Sequence, residues 1–392
     1  MTIISKVFFI SAIVVTGLNA SFSWAEQPCS LRIPVNQYLV DGEVLGVKPG
    51  DTICLESGER GPMRIQHLHG SDSLPITVTN VDGPVTTTPY EYSIALEDAS
   101  FVILKSSETK QTDPYQIKLG GTLSVGQLSH HVTIEGVEIY RARFAGMLIK
   151  TDPTCDPRTW RSNFLMSGLR VRGNYIHDTE EGEGMYIGYT GKSRTLMCDG
   201  VETTVYPHQL DDVLIENNRV ELIAADGIQL NSVKQEGHIK GNRIYQTGLS
   251  PFAPVWQNTG IQVGGDNVTI SDNLIVRAGG NGMMLDGDNL SVIGNMVIMA
   301  GENAIFSRNP AQQDSQNSGG LAHQYRQNVL IQSGDYAIKN YAILTSTPHM
   351  ITQNTIEHNG ERDAANRLKI FSYLNDTVSR QEENNLIVDS TQ

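Results

Sequence analysis

The hydrophobic pattern of this chain repeats in lines. Leu169 to Gly188 reads LRVRGNYIHDTEEGEGMYIG, and Val213 to Asn231 reads VLIENNRVELIAADGIQLN. VTISDNLIVRAGGNGMMLD and LSVIGNMVIMAGENAIFSR follow. Each line has an alternating run, an Asn, a second short apolar run, a Gly-containing turn and a third run. Alternation with period two predicts short strands, three per line. A fixed recurrence of such lines predicts a solenoid. The Asn positions are 174, 218, 242, 273 and 295, separated by 44, 24, 31 and 22 residues. The smallest spacing gives the length of one bare coil, and any excess over it leaves the coil as a loop.

Three short strands cannot bury an apolar face alone, but stacked coils can, through parallel pairing with their neighbours. In the third run, Met147, Met185, Ile228, Ile261, Met283 and Ile305 are expected to point inward, as are Ile149, Ile187, Leu230, Val263 and Leu285. Leu148, Tyr186, Gln229, Gln262, Met284 and Phe306 form the first outward column. Lys150, Gly188, Asn231, Gly264, Asp286 and Arg308 form the second. The Asn residues are expected to stack at one corner, each amide bonding the next.

The coil, apolar-x-Ile-x-x-Asn-x-Ile followed by Gly-Ile-x-apolar, resembles the right-handed parallel β-helix of the pectate-lyase-like superfamily. The resemblance covers most of residues 50–353. It implies an all-β fold, a single right-handed parallel β-helix of three-strand coils with an N-terminal cap. The same fold carries polysaccharide lyases, glycoside hydrolases, uronate epimerases, esterases and phage tailspikes, so it does not fix a reaction.

Residues 1–25 read as a signal peptide: Lys6, an apolar run from Val7 to Leu18, then Ser23-Trp24-Ala25. That run is too short to span a bilayer. Residues 26–88 are expected to hold the cap and first coils, with the segment around Val35 to Val40 covering the open end. The helix proper is expected over 89–359, with inserts at 151–164, 189–209, 249–259 and 309–324. A last coil and tail fill 360–392. The formal charge of −14 argues against general nucleic-acid or anionic-membrane binding. Four Cys in an exported chain imply two disulfides. Cys29 pairs with Cys54 in the cap and first coil. Cys155 pairs with Cys198, in inserts leaving one corner of adjacent coils. The protein is read as secreted, extracellular or periplasmic, and monomeric.

Candidate chemistry gathers around the first two inserts. Between Arg141 and Arg172 seven basic residues face only Asp152 and Asp156, and the next turn, from His177 to Glu183, is acidic. After the Asn corner, Tyr140, His177, Glu221 and Tyr245 are expected to face outward. With adjacent coils about 4.8 Å apart, Lys150, His177, Tyr186, Glu221, Gln229, Asn231, Tyr245 and Gln262 are placed in one groove suited to several sugar units. Asp226 and Trp256 join them as substrate contacts.

Several motifs of relatives are absent: the polygalacturonase NTD and RIK, the epimerase DPHD, the pectate-lyase WIDH and the calcium nonapeptide. The alginate-lyase and chondroitinase-B-like group has Glu-x-Glu before a strand ending in Lys. Here Glu181-Gly182-Glu183 precedes such a strand, but Gly188 stands at its end, and Lys150 occupies that column one coil earlier. The whole chain resembles secreted bacterial lyases that trim biofilm-matrix exopolysaccharide. The resemblance implies β-elimination on an acidic, uronate-containing polysaccharide.

That reaction needs the carboxylate neutralised, a base for the α-proton and an acid for the leaving oxygen. Lys150, His177 and Tyr186 are the candidate catalytic groups, with Arg141 and Arg143 as carboxylate clamps. Asp178, Glu181 and Glu183 are the candidate Ca²⁺ ligands, since carboxylate oxygens favour a hard ion. The alternatives are a glycoside hydrolase, with Glu183 and Asp226 as its carboxyl pair, and a non-catalytic matrix or adhesin binder.

Overall fold

The computed structural model describes residues 28–107, 113–251, 253, 256–308, 322–342, 347–358, 360–374 and 378–389. Residues 1–25, expected to be a signal peptide, and residues 309–321 of the fourth insert lie outside them. The chain winds as a three-faced solenoid in which strands of successive coils pair in parallel.

The first face runs from Leu31–Ile33 through Leu165–Arg172, Gln209–Glu216 and Val233–Lys240 to Arg380–Glu383. The second face carries Val137–Tyr140, Tyr175–His177, Arg219–Glu221 and Arg243–Thr247. The third carries Met147–Ile149, Met185–Ile187, Ile228–Asn231, Ile261–Gly264, Met283–Leu285 and Ile305–Ser307. The third-face register follows the repeat: Met147 aligns with Met185, then Ile228, Ile261, Met283 and Ile305. These inward side chains are fully buried, each removed from water at a gain of about 1.5–3 kcal/mol.

Two corners explain why the repeat looks as it does. Asn174, Asn218, Asn242, Asn273 and Asn295 form a continuous amide ladder, extended by Asn328, Asn354 and Asn385. From Asn218 onward each Oδ1 accepts both the side-chain and the backbone N–H of the preceding Asn, as Asn218 does from Asn174 at 3.0 Å. The residue before each of the eight ladder Asn is left-handed: Gly173, Asn217, Gly241, Asp272, Gly294, Gln327, Gln353 and Asn384. Gly, Asn and Asp enter that region most cheaply, which is why GN, NN and DN recur. At the corner before the third face Gly184, Gly227, Gly260 and Gly282 recur where the coils approach closely, giving way to Ala304 and Ala337 in later coils. A Cβ on Gly184 would lie 2.5 Å from the Gly227 carbonyl oxygen, and one on Gly227 would lie 2.6 Å from that of Gly260.

The solenoid begins with its first described strand, since Leu31–Ile33 already pairs with Ile53–Leu55. The segment expected to cover the open end instead runs into the third-face strand Leu39–Asp41 and the helical turn Gly42–Leu45. Both disulfides form as expected, Cys29–Cys54 and Cys155–Cys198. Their sequence separations of 25 and 43 residues correspond to about 3.5 and 4 kcal/mol of loop-closure stabilisation.

Candidate active site on the third face

The first two inserts leave the third face after Ile149 and Ile187 and pack on each other. Cys155–Cys198 joins them, Trp160 bridges to Pro207, and the Arg161 side chain donates to the Pro207 carbonyl at 2.9 Å. The second insert carries an antiparallel hairpin, Arg194–Cys198 with Val201–Val205. His208 closes its base, accepting the Thr151 N–H at 2.9 Å. Burial pushes that imidazole down to about 4, so it stays neutral and can accept.

Lys150 stands at the root of the first insert. Its Nζ is 2.7 Å from Asp152 and lies 5.1 Å and 5.3 Å from the ring centres of Tyr186 and Tyr189. Phe144 meets the Tyr186 ring edge-on. Three donors converge on the Thr190 hydroxyl: Tyr186 O–H at 3.0 Å, and the amides of Gln229 and Asn231 at 2.9 Å each. A hydroxyl oxygen accepts at most two, so one of these three groups is available to another partner.

The corner leading into this face holds a second polar column. Thr259 donates its N–H and hydroxyl to Asp226 Oδ1, and Asn303 donates to Asn281. One coil before Asp226 the matching residue is Glu183, which accepts from the Gln257 amide at 3.0 Å. Glu183 and Asp226 are almost wholly buried, at 1% and 0% exposure. Burial pushes Asp226 up to about 8, against the two hydrogen bonds from Thr259, and the charges of Glu183 and Asp286 add to the rise. Burial also raises Glu183, opposed by Gln257 and by the Lys150 charge. Further along, Gln262 donates to Asp286, which pairs with Arg308, and the Arg308 guanidinium lies 4.7 Å from the Trp256 ring centre.

The expected single groove divides in two. Lys150, Tyr186, Gln229, Asn231, Gln262, Asp226, Glu183 and Trp256 gather on the third face. His177, Glu221 and Tyr245 do align in one outward column, but on the second face. His177 is stacked on Tyr175 and Tyr140 and bonded to Asp178 at 2.6 Å and Glu138 at 3.4 Å. Burial opposes its charge, but those two acids outweigh it and raise its pKa. Tyr175 donates to Glu221, which Arg219 also holds. A strand's outward direction is fixed by period two. Which face that direction belongs to depends on the corner between, and His177 precedes the corner that Tyr186 follows.

The basic island is a set of pairs. Arg141 lies 3.7 Å from Glu180, and Arg143 lies 3.7 Å from both Glu181 and Glu91, all exposed. Arg170 holds Asp212 and Arg172 holds Glu135 across coils on the first face. The calcium set does not assemble either. Asp178 is bonded to His177, Glu181 faces Arg143, and Glu183 is buried against Gln257. Among the described residues no group of three or more His, Cys, Asp or Glu is placed to hold a metal ion. Tyr189, Thr190 and Thr259 were not singled out in the sequence as site residues. They lie in inserts, whose course no periodicity sets.

A family model described as a right-handed β-helix region matches residues 123–297, and the solenoid is a right-handed parallel β-helix. No curated protein matches the chain in sequence. Among solved structures, the chain is similar to an alginate lyase from Paenibacillus sp. str. FPU-7. The TM-score is 0.52 at 18% identity, covering 76% of this chain and 95% of that one. It is similar to the A-module of the Azotobacter vinelandii mannuronan C-5 epimerase AlgE4, with a TM-score of 0.58 at 14% identity, covering 90% and 89%. It is similar also to a GH136 lacto-N-biosidase from Eubacterium ramulus, with a TM-score of 0.51 at 12% identity, covering 90% and 68%. At such identities the likeness is one of fold.

Proposed function

We propose that this β-helix is an exported polysaccharide lyase that cleaves an acidic, uronate-containing polymer by β-elimination on its third face. The observation that carries the reading is the Lys150 ammonium set between the Tyr186 and Tyr189 rings, beside two disulfide-tied inserts. Two of the folds it resembles belong to enzymes named for alginate and mannuronan, which supports the reading as an analogy of scaffold. Two disulfides support an oxidising compartment, and no helix among the described residues is long and apolar enough to cross a membrane.

In this reading Tyr186 is the base that takes the proton from C5 of the uronate. The C5–H electrons become the C4=C5 double bond, the C4–O4 bond breaks, and O4 leaves with a proton from the Lys150 ammonium. Proton transfer from Tyr186 to the Lys150 amine restores both groups. Arg143 precedes Phe144 at the rim, and among the described residues its ion pairs are with acids at 3.7 Å. A bidentate uronate carboxylate displaces such contacts readily. No step is assigned to a metal, because the residues expected to hold Ca²⁺ do not fit one.

The test is a panel of uronate polymers incubated with the purified full chain. A lyase releases an unsaturated product that absorbs in the ultraviolet. Reducing ends without that product would establish the second reading, a glycoside hydrolase, which the buried Glu183–Asp226 pair favours. Binding without any product would leave a matrix binder.

A further inference from the structure

We infer that Glu183, Asp226, Gln229, Gln257 and Gln262 line a subsite for a sugar ring that brings hydrogen-bond donors and no carboxylate, so that the polymer is a heteropolysaccharide rather than a homouronan. The inference rests on the lyase reading for the neighbouring uronate.

Five buried side-chain oxygens here have no donor: Glu183 Oε2, Asp226 Oδ2, Gln229 Oε1, Gln257 Oε1 and Gln262 Oε1. Their residues are not scattered. Glu183 and Asp226 are successive in the corner column, Gln229 and Gln262 are successive in the outward column, and Gln257 bridges to Glu183. Buried polar atoms ordinarily find partners, and one left bare is destabilising. A purely structural column would not need them. Two and three coils after Asp226 the same corner uses Asn281 and Asn303, where the Asn303 amide donates to Asn281 Oδ1 at 2.7 Å.

The chemistry of the vacant bonds selects the ligand. All five atoms are oxygens, and the two carboxyl groups among them sit in a buried setting that disfavours further negative charge. Sugar hydroxyls or an ammonium group complete such a set, whereas a uronate carboxylate is rejected. The positive charge on this part of the face is Lys150, toward the first insert, and Arg308, which is bound to Asp286. Tyr186, Gln229 and Gln262 are consecutive partners in register, so the two ends of this column lie roughly 10 Å apart. That separation places the acceptor cluster within a sugar unit or two of the uronate at Tyr186, with Trp256 at its rim.

The test is calorimetric binding to the Tyr186→Phe chain, which keeps ligand intact. The probes are homouronan oligosaccharides (mannuronate, guluronate, galacturonate) and oligosaccharides alternating uronate with hexosamine, cut from hyaluronan, chondroitin and heparosan. At least one alternating probe is expected to bind ten-fold or more tighter than every homouronan. Gln262→Met should lower affinity for that alternating probe ten-fold or more and for homouronans by less, so that the preference is lost. Equal or tighter binding of a homouronan, no binding of any probe, or equal loss on both classes in Gln262→Met overturns the inference. The lyase reading is read separately from unsaturated product formed by the unmodified chain, so its failure is distinguishable.

Discussion

The ammonium of Lys150 lies 5.1 Å from the centre of the Tyr186 ring, one coil away along the third face. The two residues are 36 positions apart, and only the stacking of coils makes them neighbours. Leu148 pairs with Tyr186, so Lys150 projects from the same face two residues further on. Its ammonium pairs with Asp152 at 2.7 Å.

Replacing either group should therefore act on chemistry with the fold intact. Lys150→Ala and Tyr186→Phe are each expected to lower kcat at least a hundredfold, about 2.7 kcal/mol of barrier, with unchanged circular dichroism. His177→Gln, on the second face, is expected to lose less than about threefold, well short of the hundredfold loss of a proton-transfer group. A hundredfold loss in the His177 variant, with full activity in the other two, would move the site to the second face.

Metal removal is expected to leave activity unchanged. Asp178, Glu181 and Glu183 each have another partner and do not converge. Exhaustive EGTA treatment followed by the product assay checks this. Activity lost to EGTA and restored by Ca²⁺ would require a site these acids do not form.

The pH dependence of stability should carry the mark of Asp226. Its folded pKa, about 8, stands above the ordinary 3.8, so the folded state binds the extra proton. The resulting stability is complete below about pH 4 and is lost as pH rises toward about 8. His177 acts with the same sign, its contribution fading as pH rises through a value above 6.5. Asp226→Asn keeps an acceptor for Thr259 but cannot ionise. Thermal melts are expected to show the variant gaining on the parent chain as pH rises over that window. A constant difference across the window would mean that Asp226 is ionised in the fold.

The repeat made the scaffold readable before any coordinates. Period two set which side chains of Met185–Ile187 and Ile228–Asn231 point inward, and the Asn spacing set the corner. Cys155 and Cys198 were pairable for the same reason, since their inserts leave matching positions of adjacent coils. The site was only partly readable. Lys150, Tyr186, Gln229 and Gln262 are in register on one strand face, so counting places them. Thr190 and Gln257 reach the site through loops, and nothing local encodes where a loop returns. His177 was misassigned to the groove because alternation gives in or out but says nothing of which of three faces is out. The positive run from Arg141 to Arg172 looked like one patch in sequence. In a coil its members are spread over corners and faces: Arg141, Arg143, Arg170 and Arg172 meet acids of neighbouring turns, while Lys150 and Arg158 pair within their own insert.

The Asn ladder should be the most sensitive polar element of the stack. Asn242 Oδ1 accepts from the Asn218 backbone and side chain at 3.0 and 2.9 Å, and its Nδ2 donates to Ile215 O and Asn273 Oδ1 at 2.9 Å each. Asn242 is fully buried, so water cannot replace it. Asn242→Ala leaves two donors and two acceptors without this partner. At about 1–3 kcal/mol for each buried group left unpaired, and with some shared back onto neighbours, a loss of roughly 2–5 kcal/mol follows. Asn385 closes the described ladder in a partly exposed position, accepting from Asn354. There solvent can take over, and Asn385→Ala is expected to cost under about 1 kcal/mol, the scale of one exchanged hydrogen bond. Denaturant melts of the two variants at one pH compare them directly. Equal losses would mean that the ladder's stability does not depend on its burial.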